Sequence, residues 1–199
     1  MKRTYMEAVK HRRSYYAITK SSPVGDAEIE KMVHRVVTYV PTAFNSQSSR
    51  LVLLLGDHHT KLWNIVGKEL RKIVPPEAFA GTERKIGSFS AGYGTVLYFE
   101  DESVVKHLQE SYPLYKDNFP VWSTQGSAMH QITLWTLLTD AGLGVSLQHY
   151  NPLIDDEVRR TWDLPADWKL IAQMPFGAPV QEPDPKTFLP LEERVRVFK

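Results

Sequence analysis

The 199-residue chain contains no cysteine. That excludes disulfides, thiolate catalysis, iron–sulfur clusters and cysteine-bound zinc, and it suits a reducing compartment. Charge of one sign is not in excess either: 24 Lys and Arg stand against 23 Asp and Glu, a formal net charge of +1. No global field draws such a chain onto nucleic acid or an anionic membrane, although a small basic cluster can still hold one phosphate. Long hydrophobic runs are missing: nowhere do about eighteen apolar residues follow one another, and Met1 opens no signal-peptide core, so we expect a soluble cytoplasmic protein. Several enzyme signatures are absent as well. There is no Gly-x-x-x-x-Gly-Lys-Ser/Thr phosphate loop, no Gly-x-Ser-x-Gly elbow and no His-Glu-x-x-His, and Gly142-Leu143-Gly144 lacks the third glycine of a dinucleotide fingerprint. His58-His59 is the only histidine pair; it reads as solvated turn residues after a strand, and no metal site is assigned.

With 42% hydrophobic and 24% charged residues, the composition is that of a globular protein, and residues 1–199 read as one domain able to bury a core. Thr4-Tyr5-Met6-Glu7 has the form of a capping box opening a short helix that runs into His11-Arg12-Arg13. Asp26 is the expected cap of a second helix, whose stripe is Ile29, Met32, Val33, Val36, Val37 and Val40 and which Pro41 ends. Residues 51–55 form an apolar run expected as a strand buried on both faces, residues 61–74 a helix, and residues 94–99 a second strand. Residues 112–122, with Pro113 and Pro120 among aromatics, read as an ordered loop. Residues 123–141 form a helix apolar almost all round, with no charge before Asp140, which marks it as central or interfacial. Gly142 supplies its left-handed cap, and a strand (143–148), a helix (155–162) and a strand (170–174) follow. From Ala178 on, the chain is a Pro-rich extended arm suited to lie on another surface, such as a partner subunit's. The order of elements argues α+β around one mixed sheet.

Three polar clusters stand among these elements. His11-Arg12-Arg13-Ser14 offers two guanidinium forks and a hydroxyl suited to a phosphate dianion, although spacing alone favours a solvated basic end that complements the helix dipole. The stretch Asn45-Ser46-Gln47-Ser48-Ser49-Arg50 offers amides that can bond a heterocycle edge or a sugar alcohol, or satisfy their own turn. Gln148-His149-Tyr150-Asn151 sits at a strand end, where polar groups either face a pocket or form an ordinary loop.

In this order, the clusters resemble the flavin-dependent nitroreductase family across nearly the whole chain. Arg12-Arg13-Ser14 matches its Arg-x-Ser pattern, and residues 41–47 match its Pro-Ser/Thr-x-x-Asn-Ser-Gln segment. Gly142-Leu143-Gly144 follows the long helix, and Pro185-Lys186 with Pro190-Leu191-Glu192-Glu193 is similar to its C-terminal arm. Residues 44–50, 91–95, 147–155 and 173–177 look like the subfamily named for a fatty acid repression mutant.

The resemblance implies a homodimer of nitroreductase-like α+β fold, with two FMN sites at the interface. It implies that Arg12, Arg13, Ser14 and Lys186 meet the flavin phosphate end and that Asn45, Gln47 and Ser48 reach the site. It puts Lys85 near the isoalloxazine edge and Gln148, His149 and Tyr150 near the ring's redox-active nitrogen, where a donor stabilises developing charge. Departures are Tyr16 and Phe188 where relatives carry cations, which either weakens the phosphate clamp or shifts its work to Arg50, and Ser48-Ser49 in place of Pro-Trp. The implied activity is ping-pong reduction of nitroaromatic or quinone-like acceptors with NADH or NADPH. The flavin then carries the chemistry, and no side chain is assigned as catalytic. Tyr115, Phe119 and Trp122 are candidates to cover the flavin face, with core packing the other role open to each. The alternative function is a flavin-binding regulator or redox sensor linked to lipid metabolism.

Overall fold

The computed structural model describes residues 3–199. The capping box forms: the Thr4 backbone N–H and hydroxyl both donate to Glu7, at 2.8 and 2.7 Å, and start helix α1, Tyr5–His11. A short strand β1, Ile18–Thr19, precedes helix α2, Asp26–Tyr39. Gly25 rather than Asp26 occupies the α2 N-cap, and Asp26 lies in the first turn, where a carboxylate complements the helix dipole. The α2 stripe buries Ile29, Met32, Val33 and Val36, while Val37 stays exposed. Strand β2, Ser49–Leu55, leads into helices α3, Asp57–Arg71, and α4, Pro76–Ser90; strand β3, Gly94–Asp101, leads into helix α5, Glu102–Ser111. Helix α6 spans Phe119–Asp140, followed by strand β4, Gly144–Val145, helix α7, Asp155–Trp162, and strand β5, Trp168–Pro179.

The sheet order is β1-β5-β3-β2, with β4 also on β5; these pairs are antiparallel, and a parallel contact joins Ser14 to Val145 as an isolated bridge. Strand β3 is buried along its whole length, so its period-two alternation serves two cores. Val96 and Tyr98 face α2 and α6, together with Leu134, Leu138, Met174 and Phe176; Leu97 and Phe99 face α3, α4 and α7, together with Trp63, Phe89 and Val158. Each fully buried aliphatic side chain here contributes about 1.5–3 kcal/mol. Gly142 takes φ +98° after α6, as its role of left-handed cap requires.

Several expectations are corrected. Residues 112–122 are not one loop: a 3-10 turn, Pro113–Tyr115, is followed by α6 from Phe119, because Pro120 falls in the first turn, where a missing N–H costs nothing. Strand β2 is apolar but lies at the sheet edge, and Leu51, Val52, Leu53 and Leu55 are only partly buried. Helices α4 and α5 had no counterpart in the sequence reading. The strand expected at residues 143–148 is regular only at β4 and makes one further bridge, from Gln148 to Gln173.

The histidine pair lies in α3, not in a turn, and His59 is buried. Its Nε2 lies 3.3 Å from the Ser90 carbonyl, which only accepts, so that nitrogen carries the proton. Nδ1 then accepts from the Thr95 hydroxyl at 2.8 Å, while the same hydroxyl oxygen accepts the Trp63 indole N–H at 3.0 Å. Burial holds His59 below the ordinary value of 6.5, against the pull of the Ser90 and Phe89 carbonyls. The unfolded chain therefore takes up this proton at a higher pH than the folded one. The stability tied to neutral His59 is complete above about pH 6.5 and is lost as pH falls toward the depressed folded value. We expect the thermal midpoint to drop between about pH 7 and about pH 5, and the drop to shrink in His59→Gln. Equal slopes in the two proteins contradict this assignment.

Candidate functional site

The end of α1 builds the first part of the site. Arg12 is the helix C-cap with extended ψ 121°, and the chain then runs beside β4, where Tyr15 N–H donates to the Val145 carbonyl at 2.9 Å. That path puts Arg12, Arg13, Ser14 and Tyr16 along a cavity of about 560 Å³, closed by Ser88 of α4 and by residues 181–184 and Lys186 of the arm. Arg12 is half-buried, its guanidinium carbon 4.5 Å from the centre of the Trp135 ring. Among the described residues it forms no ion pair with a carboxylate. Burial first, then the neighbouring Arg13, lowers its pKa. Arg13 donates to the Asp184 carbonyl, and Tyr15, its phenol pKa raised chiefly by burial, donates to Glu182 at 3.1 Å. Two adjacent guanidiniums beside Lys186 form a donor set that fits a phosphate dianion.

The second part is the segment after α2. Phe44, Asn45 and Gln47 all adopt left-handed φ, at 57°, 51° and 48°. Asn takes that conformation readily, whereas Phe and Gln need support from their surroundings. Support for Phe44 comes from the rings of Tyr112, Tyr115, Phe119 and Trp122, with centroids 5.0 to 5.9 Å away. For Gln47 it comes from a Thr42 hydroxyl that accepts its N–H at 3.0 Å and from Arg50, which donates to its carbonyl at 2.6 Å. Glu100, buried at the end of β3, accepts the hydroxyls of Ser48 at 2.6 Å, of Ser123 at 3.0 Å and of Ser49. Arg50 is held by Asp101 at 2.9 Å, and Gln47 and Arg50 line a different cavity of about 790 Å³ along β2.

The third part is the strand end after β4. Gln148 and Gln173 exchange backbone hydrogen bonds at 2.7 and 2.9 Å, and the Gln173 side-chain oxygen accepts Tyr150 N–H at 2.7 Å. Gln173 Nε2 and Asn151 Oδ1 are buried without a hydrogen-bond partner. Tyr150 packs edge-on against Trp63, and burial pushes its phenol up to about 12, so it keeps its proton at neutral pH. His149 is exposed.

The structure thus gathers Arg12, Arg13, Ser14 and Lys186 around one cavity. Lys85 is exposed on α4, its carbonyl accepting the hydroxyl of Ser88, which lines that cavity. Asn45, Gln47 and Ser48 belong to the second part, and Gln148, His149 and Tyr150 to the third. Arg50, the candidate replacement cation, is occupied by Asp101, away from Arg12 and Arg13. Of the aromatics proposed to cover a ligand, Phe119 is a buried packing residue, while Tyr115 remains 45% exposed. Sequence reading missed Trp135 and Glu100. The signal for Glu100 was a carboxylate continuing an apolar strand; Trp135 gave none. Among the described residues no group of three His, Asp or Glu side chains is assembled to hold a metal ion.

Residues 9–178 match the nitroreductase family. The chain is 34% identical over 187 residues to nitroreductase FRM2 of Saccharomyces cerevisiae, covering 93% of each protein. Among solved structures it is similar to nitroreductase CinD of Lactococcus lactis in complex with chloramphenicol, with 43% identity, TM-score 0.89 and coverage of 98% of this chain and 100% of CinD. CinD has also been solved with 4-nitrophenol. A putative nitroreductase of Desulfovibrio desulfuricans in complex with FMN shares the fold at 17% identity and TM-score 0.70, with 100% of each chain covered. With a family match over most of its length and the same fold, this chain is an oxidoreductase that belongs to the nitroreductase family.

Proposed function

We propose that the protein is an FMN-dependent oxidoreductase that takes electrons from NADH or NADPH and delivers them to nitroaromatic or quinone-like acceptors. The observation that carries this reading is the half-buried Arg12, packed beside Arg13 and making no ion pair with a carboxylate among the described residues, in a cavity that takes in Lys186 as well as Glu182 and Asp184 of the arm. Like charges brought together and partly desolvated are costly unless an anion joins them, and a phosphate monoester is an anion of matching charge and geometry. The ligands of CinD, chloramphenicol and 4-nitrophenol, support nitroaromatic acceptors.

Arg12, Arg13 and Lys186 would hold the phosphate of FMN, with Ser14 beside them. Asn45 and Gln47 would bond the flavin's polar edge, while Ser48, expected there from the resemblance, is buried with its hydroxyl donated to Glu100 and would instead hold their turn. Lys85 would lie near that edge, and the backbone of Gln148, His149 and Tyr150 would face the ring. The Tyr150 N–H is taken by Gln173, which leaves the neighbouring His149 N–H as the donor for the ring nitrogen. When bound, FMN supplies hydride acceptance from the nicotinamide and electron delivery to the acceptor.

In one chain the first and second parts of the site line different cavities. A homodimer in which each flavin touches both chains reconciles them, and two features favour it. Met129 and Ile132 of α6 are exposed and, with Tyr5, Tyr39 and Leu137, line an apolar groove of about 470 Å³. The arm leaves Phe188, Leu189, Leu191, Val195, Val197 and Phe198 exposed. No described helix is long and apolar enough to cross a membrane, and the cysteine-free chain suits the reducing cytoplasm.

The protein is expected to purify yellow. Arg12→Ala should weaken FMN roughly ten- to a hundredfold while remaining folded, the loss matching one charge-assisted bond of about 1.5–3 kcal/mol. Unchanged FMN affinity removes Arg12 from the site. Light scattering should give a dimer at every concentration at which the chain stays folded, and a stable flavin-bound monomer contradicts the two-chain site. Because the sequence holds no dinucleotide fingerprint, nicotinamide and acceptor are expected to use one flavin face in turn. Double-reciprocal plots should then be parallel, with excess acceptor competing against NAD(P)H. Intersecting lines would sink the shared-face mechanism.

A further inference from the structure

Arg12 and Arg13 repel one another, and a long side chain at a helix end has many rotamers to choose from. One residue touches both. The face of the Trp135 ring carries the Arg12 guanidinium at 4.5 Å, and its indole Nε1–H donates to the Arg13 carbonyl at 3.2 Å. A half-buried indole N–H requires an acceptor, so the ring is oriented by Arg13 while its face is presented to Arg12. Trp135 sits in the C-terminal half of α6, and the other end of α1 is tied to the same helix by Arg3, 3.0 Å from the buried carboxylate of Asp140. The Arg12 side chain and the Arg13 backbone are thereby referenced to the most buried helix of the fold, while the Arg13 guanidinium also reaches the Asp184 carbonyl of the arm.

We propose that Trp135 is a positioning residue for the anion site, holding Arg12 and Arg13 in the register in which both serve one phosphate monoester, and so setting a preference for FMN over riboflavin. This rests on the FMN reading above. Trp135 touches no reacting atom; it acts through the arginines. A cation–π contact that is incompletely desolvated is worth a few-fold to about tenfold in affinity, more when the charge is poorly hydrated. The loss should appear in phosphate-dependent binding alone, because riboflavin has no phosphate for the arginines to hold.

The test measures dissociation constants of FMN and riboflavin by fluorescence titration of the full-length, flavin-stripped protein, with circular dichroism as the check on folding. Trp135→Leu should weaken FMN roughly tenfold and leave riboflavin within about twofold. Trp135→Phe, which keeps the ring face and loses the N–H, should recover most of the FMN affinity. Arg12→Ala/Trp135→Leu should lose clearly less FMN affinity than the sum of the two single losses, since the larger part of the tryptophan's effect passes through Arg12 and the remainder through Arg13. Equal losses for FMN and riboflavin, or full additivity with Arg12→Ala, overturn the proposal and leave Trp135 as a packing residue. If Trp135→Leu does not fold, Trp135→Met, which keeps bulk and removes the ring face, takes its place: a reduced FMN-to-riboflavin preference supports the proposal, and a preference identical to the wild type's overturns it. A wild-type protein that prefers FMN while Trp135→Leu keeps that preference defeats this inference only. A wild-type protein that binds neither flavin defeats the FMN reading together with it.

Discussion

Between Phe119 and Thr139 the chain contains no Asp, Glu, Lys or Arg, and a helix of that composition has no face that water solvates well. Helix α6 therefore has to be surrounded, and the rest of the fold is arranged as its cover. Leu134 and Leu138 are fully buried against the sheet and α2, and α1 lies along another side. What remains, the strip around Met129 and Ile132, is left exposed by the described residues. The same helix delivers Trp135 to the arginine pair and Ser123 to Glu100, so two of the polar groupings take their position from the element that is itself most constrained.

The polar groups within this apolar framework are satisfied mostly by hydroxyls. Glu100 has three serine donors, and the Thr95 hydroxyl serves both His59 and Trp63. Hydroxyls suit this task because they donate or accept as their neighbours require and occupy little volume. At Glu100 the consequence reaches the site, since Ser48 and Ser49 are the residues that follow the left-handed turn at Asn45 and Gln47. Pinning their side chains and the Ser48 carbonyl, which accepts Asp101 N–H at 2.9 Å, limits where that turn can go. Strain at Phe44 is offset by aromatic contacts that come from α6 and the turn before it, so the turn is held from two sides.

How much of this was legible depended on whether the cause was local. The α2 stripe, the uncharged run of α6 and the capping box at Thr4 are periodic or adjacent signals, and each element formed where they lie. Pro120 misled because a proline reads as a breaker unless it is known to fall in a first turn, and the turn position is set by Asn118 and Phe119, not by the proline. Helix α4 begins at a Pro-Pro pair that reads as a stop, and Gly81 and Gly87 dilute its pattern. His59 was misjudged because its partners, Thr95 and Ser90, lie 36 and 31 residues away. The site follows the same rule: the basic cluster at residues 12–13 was visible as charge, but the ring that holds it is 122 residues distant from Arg13.

The separation of the site's parts has a physical side of its own. Helix α1 ends at the β4 flank of the sheet, whereas the segment with Asn45 and Gln47 leads into β2 at the opposite edge, with β5 and β3 between them. Adjacent strands lie about 4.8 Å apart, so intervening strands hold the two groups apart by more than a side chain's reach, and no rotamer change within one chain closes the gap. A flavin mononucleotide is long enough to put its phosphate on one group and its ring elsewhere, yet it cannot pass through a sheet packed on both faces. The homodimer proposed above would let Arg12 and Gln47 serve the same flavin by drawing them from different chains. In that proposed arrangement each site would depend on the uncovered strip of α6 finding its counterpart. That would couple flavin retention to association, so a substitution that weakens the apolar contact should release flavin without touching any residue that binds it.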